Sequence, residues 1–188
     1  MKIIFLRHAE TDFNRLGISQ GGDVDPEINE AGFNQSKCTA KYLKENYNIS
    51  QIYSSTMIRA RNTVEIISDE LEFSKEILYN EKLKESSKKI KDEKDYNGLT
   101  KEEYKKIIGE RVRKIFDKII EENAEDSEVL VVSHGAVIKN LIRNIFSIKE
   151  IESNVITDVG NCTLTSFSIN TDGIKLDKSY DNSHLENL

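Results

Sequence analysis

The chain has 188 residues, 37% of them hydrophobic and 32% charged, with a formal net charge of −6. That is an ordinary globular composition, and a domain of this length hides roughly 70% of the surface its unfolded chain exposes. The negative balance excludes the basic footprint of a nucleic-acid binder and the polybasic patch of a membrane-surface protein. Anions can be held only where positive groups are gathered locally.

The apolar run from Ile3 to Leu6 is too short for a signal peptide or a membrane span. Cys38 and Cys162 have neither CxxC spacing nor neighbouring histidines. They are expected as free thiols in a reducing compartment, not as metal ligands or a disulfide. The expectation is a cytoplasmic protein with no nucleic-acid or membrane partner. The sequence is silent on oligomeric state.

In chain order, Ile3-Ile4-Phe5-Leu6 reads as a strand buried on both faces. Asn29 is an N-cap, with Glu30 in the first turn, for a helix running to about Asn46. Gln51-Ile52-Tyr53 reads as a second strand, and Ala60, Val64, Ile67 and Leu71 place a helix from about Thr56. Tyr104, Ile107, Ile108, Val112, Ile115, Phe116, Ile119 and Ile120 form one apolar helical stripe, opened by a capping box of Thr100 and Glu103. Val129 to Val132 is another buried strand, followed after Gly135 by a helix with Val137, Ile138, Leu141, Ile142 and Ile145 inward. Thr163 to Ile169 alternates like a strand nearer an edge, with Ile174 to Leu176 as its hairpin partner across Thr171-Asp172-Gly173.

Pro26 is the only proline, and no repeat or low-complexity segment interrupts the chain. A single domain over residues 1–188 is expected. Alternating strands and helices give the α/β class: a three-layer sandwich with a mostly parallel central sheet flanked by helices. Such sheets bind ligands beyond the carboxyl ends of their strands.

Three of those ends carry one kind of chemistry. The first strand ends in Arg7-His8, and the second in Ser54-Ser55 with Arg59 at the start of the next helix. The Val129 strand ends in Ser133-His134-Gly135. Each piece has a bland reading, a structural histidine or a solvated arginine. Jointly, two histidines and two arginines from three strand ends suit phosphoryl transfer. Arginine forks match phosphate oxygens, and helix N-termini add N–H donors aimed at the same anion. A neutral imidazole flanked by such cations keeps a nitrogen free to attack phosphorus, and preorganised cations meet the transition-state charge without a metal or cofactor.

These residues also carry a family resemblance. Arg7-His8-Ala9-Glu10-Thr11 with Asn14, then Gln20-Gly21, Asp25-Pro26, Gly32 and Gln35, resemble successive blocks of the histidine phosphatase superfamily, also called phosphoglycerate mutase-like. Ser54-Ser55-Thr56-Met57-Ile58-Arg59-Ala60 with Thr63, and Val131-Val132-Ser133-His134-Gly135, resemble its later motifs. Ala9 stands where glycine is commoner. The resemblance implies His8 as the residue that becomes phosphorylated, with Arg7, Arg59 and His134 around the phosphate and Thr11, Asn14, Gln20, Gly21 and Gly135 as further contacts. It implies an acid in a Leu-x-Glu segment, which Leu83-Lys84-Glu85 fits; Glu85 is the candidate and Glu81 the alternative carboxylate.

A small cap insertion is expected at about residues 85–100, with the lysine-rich stretch 88–94 read as a solvated loop. The implied activity is a phosphatase acting on small phosphomonoesters through a phosphohistidine. The alternatives are a cofactor-dependent phosphoglycerate mutase and, behind it, a non-catalytic phosphate-binding module. A short cap leaves the site open to water and favours hydrolysis. The partner is a small phosphorylated metabolite whose identity the sequence leaves open.

Overall fold

The apolar run at residues 3–6 becomes the middle of β1 (Lys2–Arg7), whose Ile3, Ile4, Phe5 and Leu6 have no exposed surface. The structure is a computed structural model and describes residues 1–86, 100–147, 159–186 and 188. After β1 come α1 (Asp12–Arg15), α2 (Glu30–Asn46), β2 (Ile49–Ser55), α3 (Ile58–Glu70), β3 (Leu78–Asn80) and a 3₁₀ turn (Glu81–Leu83). Then follow α4 (Lys101–Glu122), β4 (Glu128–Ser133), α5 (Gly135–Phe146), β5 (Leu164–Asn170), β6 (Gly173–Asp181) and a last 3₁₀ turn (Ser183–Leu185).

The strands form one sheet in the order β3-β2-β4-β1-β5-β6. β1, β2, β3 and β4 are mutually parallel, and β5 runs antiparallel to β1 and to its hairpin partner β6. The fold is therefore the α/β sandwich read from the pattern, with its antiparallel part confined to one edge.

Strand side chains alternate between faces, which divides the core in two. Ile3, Phe5, Val129 and Val131 pack against α4 and α5. Ile4, Leu6, Leu130 and Val132 pack against α2 and α3. Phe5 also sits edge-on to Phe167 of β5, 6.0 Å between centroids.

The caps at Asn29 and at Thr100 with Glu103 form as expected, each worth about 1 kcal/mol. α3 begins at Ile58, later than Thr56, because its first N–H is held from a distance by Asp25 Oδ2 at 2.8 Å. α1, β3 and the two 3₁₀ turns were not anticipated; each is only three or four residues long, too short for hydrophobic periodicity to register. Most of the expected cap, including residues 88–94, lies outside the described residues. Among the described residues no helix is long and apolar enough to cross a membrane. Both cysteines are free thiols.

Candidate active site

Strand register brings the chemistry to one edge. Arg7 pairs with Ser133 and Ser54 with Val132, so β1, β2 and β4 finish level and release His8, Ser55 and His134 side by side. The two imidazoles stand 5.2 Å apart, centroid to centroid.

His8 is 3% exposed, and its neighbours settle its tautomer. Nδ1 lies 2.8 Å from the Ala9 carbonyl oxygen, which can only accept, so Nδ1 carries the proton. Nε2 then bears the lone pair, and the Nε–H of Arg59 donates to it at 3.2 Å. Burial first, then the charges of Arg7 and Arg59, hold the His8 pKa well below 6.5, partly opposed by the Ala9 bond. The ring rests neutral, with its nucleophilic nitrogen defined.

The loop after His8 is fixed by close approach to α2. A Cβ on Gly32 would lie 2.3 Å from the Glu10 carbonyl oxygen, so no larger residue fits without moving backbone. Gln35 Oε1 accepts from Glu10 N at 3.0 Å, the Asn29 N–H donates to Glu10 O at 2.9 Å, and Thr63 Oγ1 accepts from Ala9 N at 2.9 Å.

Arg59 is 1% exposed. Its guanidinium also donates to Gly21 O and Val24 O, both at 2.9 Å, and to Asp25 Oδ1 at 3.2 Å. Gly21 offers its carbonyl from a left-handed backbone (φ 59°) that glycine adopts without strain. Asp25 thus serves twice, orienting Arg59 with one oxygen and capping α3 with the other.

Arg7 donates to Val159 O. Asn161 Nδ2 donates to His8 O at 3.0 Å and to Asn14 Oδ1 at 3.2 Å. His134 Nε2 bonds Ser55 Oγ at 2.8 Å, and its Nδ1 is buried with no partner among the described residues. Burial, then His8, Arg59, Arg7 and Arg111, push the His134 pKa well below 6.5.

A cavity of about 430 Å³ opens over these groups, lined by Arg7, His8, Asn14, Gln20, Gly21, Arg59, Glu85 and Gly135, and also by Ile18, Lys139 and Asn161. Every expected site residue therefore lines this one cavity except His134, which lies fully buried beside His8 and bonded to Ser55, and Thr11. The Thr11 side chain is fully buried behind the cavity, capping α1 and accepting from Gln20 Nε2 at 2.8 Å. Its hydroxyl is committed to those bonds, so it orders Asn14 and Gln20 instead of facing a ligand.

The two candidate acids separate cleanly. Glu85 lines the cavity, with Oε2 3.3 Å from Ala136 N at the start of α5 and Oε1 2.8 Å from Ser86 N. Glu81 is exposed and turned away, bonded to Thr56 Oγ1 at 2.5 Å and paired with Lys84 at 3.0 Å. The sequence reading had not singled out Asn161, Val159 or Arg111 at the site. Asp25 appeared there only as part of a motif.

Among the described residues no cluster of His, Cys, Asp or Glu is arranged as a metal ligand set. The positive charge of the site comes from arginine forks and helix N-termini, which suit an anion of phosphate shape.

The family model of the histidine phosphatase superfamily (branch 1) matches residues 3–182. The chain belongs to this superfamily. A probable phosphatase of Schizosaccharomyces pombe is 31% identical, over 99% of this chain and 96% of its own length. Phosphoglycerate mutase-like protein 4 of Arabidopsis thaliana is 29% identical, over 74% of this chain and 69% of its own. Among solved structures, a mutant phosphoserine phosphatase from Entamoeba histolytica in complex with phosphoserine superposes with a TM-score of 0.74 at 25% identity, covering 98% of each chain. As a member of the histidine phosphatases with phosphatases among its full-length relatives, the protein is a phosphoric monoester hydrolase.

Proposed function

We propose that the protein hydrolyses small phosphomonoesters in two steps at His8, with no metal or cofactor in the reaction. The observation that carries this reading is the fixed tautomer of His8: a buried neutral ring whose Nε2 lone pair faces the cavity's arginines. The phosphate oxygens take the donors of Arg7, Arg59 and His134, with Asn14, Gln20, Gly21 and Gly135 lining the place they occupy. Thr11 supports Asn14 and Gln20 from behind.

In the first step Nε2 forms a bond to phosphorus as the bond to the leaving oxygen breaks, and Glu85 gives that oxygen its proton. In the second, Glu85 takes a proton from water as the water oxygen attacks phosphorus. The P–N bond then breaks and its electron pair returns to Nε2. The arginines neutralise the charge of the transferring group throughout.

The substrate is a small phosphorylated metabolite. Superposed relatives were solved with phosphoserine and with 3-phosphoglyceric acid, and a cavity of about 430 Å³ has room for compounds of that size. The likeness to those relatives puts phosphorylated acids first on a substrate panel. We treat residues 1–188 as one domain with its cap at about 85–100, and the free thiols agree with a reducing cytoplasm.

Incubation with para-nitrophenyl phosphate should release product unchanged by a chelator, and His8→Ala should abolish release. A labelled phosphate donor should leave acid-labile phosphate on the wild-type chain and none on His8→Ala. Turnover surviving in His8→Ala would remove the phosphohistidine from the mechanism.

A further inference from the structure

The acid segment is pinned at successive residues by groups from three different elements. Leu83 O accepts from Ser133 Oγ at 2.8 Å, and Glu85 Oε2 accepts from Ala136 N at 3.3 Å. Between them, Lys84 O accepts from Arg111 Nη2 at 2.7 Å. Arg111 comes from the middle of α4 and does not line the cavity. It is half-buried, and its Nε–H finds no acceptor among the described residues.

A buried cation with a leftover donor adds little to stability. Its single described hydrogen bond nonetheless falls at a decisive place. The Lys84 carbonyl and the Glu85 N–H belong to one planar peptide. Holding that oxygen therefore fixes the plane that enters Glu85 and the direction in which its carboxyl leaves the chain.

We infer that Arg111 is a positioning residue for the reaction, holding the Glu85 carboxyl at the leaving-group side of the cavity through the Lys84–Glu85 peptide. The inference rests on Glu85 being the proton donor. The charges agree with it, since the Glu85 carboxylate is the leading influence opposing the effect of burial on Arg111. A carboxylate that has just lost its proton thus faces a cation. Without the Arg111 bond the peptide can rotate while Leu83 stays anchored, and small misplacements of a catalytic group cost up to about a hundredfold in rate.

The test uses leaving groups that need the acid to different degrees. Para-nitrophenolate departs without a proton, whereas phenolate departs poorly without one. With kcat/KM as the readout, Glu85→Gln should depress phenyl phosphate hydrolysis far more than para-nitrophenyl phosphate hydrolysis. Arg111→Gln should show the same bias, at about tenfold more loss on the phenyl ester, and the double variant should be no worse than Glu85→Gln. Arg111→Lys, which keeps one donor for the Lys84 carbonyl, should regain most of the phenyl phosphate activity lost in Arg111→Gln and so remove most of the bias, which guards against a fold defect in the glutamine variant.

Equal loss on both esters in Arg111→Gln and Arg111→Lys, or none, overturns the positioning role while leaving Glu85 in place. Absence of any bias in Glu85→Gln overturns the acid assignment, and the role of Arg111 with it.

Discussion

The Nε–H of Arg59 points at the lone pair of His8 Nε2 from 3.2 Å, so the proposed nucleophile is hydrogen-bonded by the cation proposed to hold the phosphate. A proton cannot settle on Nε2 without displacing that donor. The contact thus holds the ring in its reactive form. Its geometry leads to the first expectation.

Lysine at position 59 keeps a positive charge but cannot reach His8, Gly21, Val24 and Asp25 together. Arg59→Lys should lower kcat/KM by about a hundredfold or more. It should also cost about 1–3 kcal/mol in urea denaturation, through the carbonyls and carboxylate left unpaired. Wild-type kinetics in this variant would show that the fork is not used.

Asp25 separates two tasks. Asp25→Asn keeps an oxygen for the Ile58 N–H and loses the charge beside Arg59, so KM for a phosphate ester should change while the melting temperature holds. Asp25→Ala should in addition lose a cap worth about 1 kcal/mol. The melting temperatures of the two variants distinguish the roles; equal melting in both would remove the capping role.

The pH dependence follows from which state binds protons. Both His8 and His134 are held well below 6.5 by burial and by neighbouring cations, and half-buried His184 moves the same way. As pH falls through 6.5 the unfolded chain takes up protons that the folded one refuses. Stability is therefore full above 6.5 and declines below it, at about 1.4 kcal/mol per pH unit for each ring still neutral in the fold. Urea midpoints between pH 7.5 and 5.5 should fall, and fall less steeply in His8→Asn. On the activity side, the acid limb of kcat/KM should lie well below pH 6.5, because the folded His8 stays neutral there. A limb centred at 6.5 would contradict the buried, cation-flanked ring.

Gly32 gives the sharpest steric expectation. Gly32→Ala places a methyl 2.3 Å from Glu10 O, against backbone that cannot swing aside. The helix or the His8 loop must shift, at about 1–3 kcal/mol in stability and with a marked loss of kcat. Unchanged activity and melting would mean that α2 does not set the height of the nucleophile.

These features differ in how openly the sequence displays them. The caps at Asn29 and Thr100 were legible because each side chain lies three residues from the N–H it bonds. The cluster of His8, Arg59 and His134 was legible because parallel strands must deliver their ends to one edge. The cap of α3 was not, since the accepting carboxylate of Asp25 is distant in sequence and reaches the Ile58 N–H only through the fold. β3 owes its existence to pairing with β2, not to its own three residues. Thr11 was misplaced for a related reason: a motif shows which residue is present, and only the backbone shows that its hydroxyl is already engaged by α1 and Gln20. Arg111 sat in an amphipathic helix whose stripe explained its neighbours, and nothing local linked it to Lys84.

The central place of β1 bears on how the molecule comes into being. Residues 2–7 pair with 128–133 on one side and 2–6 with 164–168 on the other, and the loop holding Val159 and Asn161 braces Arg7 and His8. His8 precedes by more than a hundred residues the segments that complete its setting, a topology of high contact order that slows folding. Until those segments pair with it, β1 is an apolar ribbon with both edges open, the kind of segment that chaperones shield and that aggregates when left waiting. Conditions of production should therefore govern the yield of active protein more strongly than its final stability does, and slower synthesis at low temperature should raise that yield.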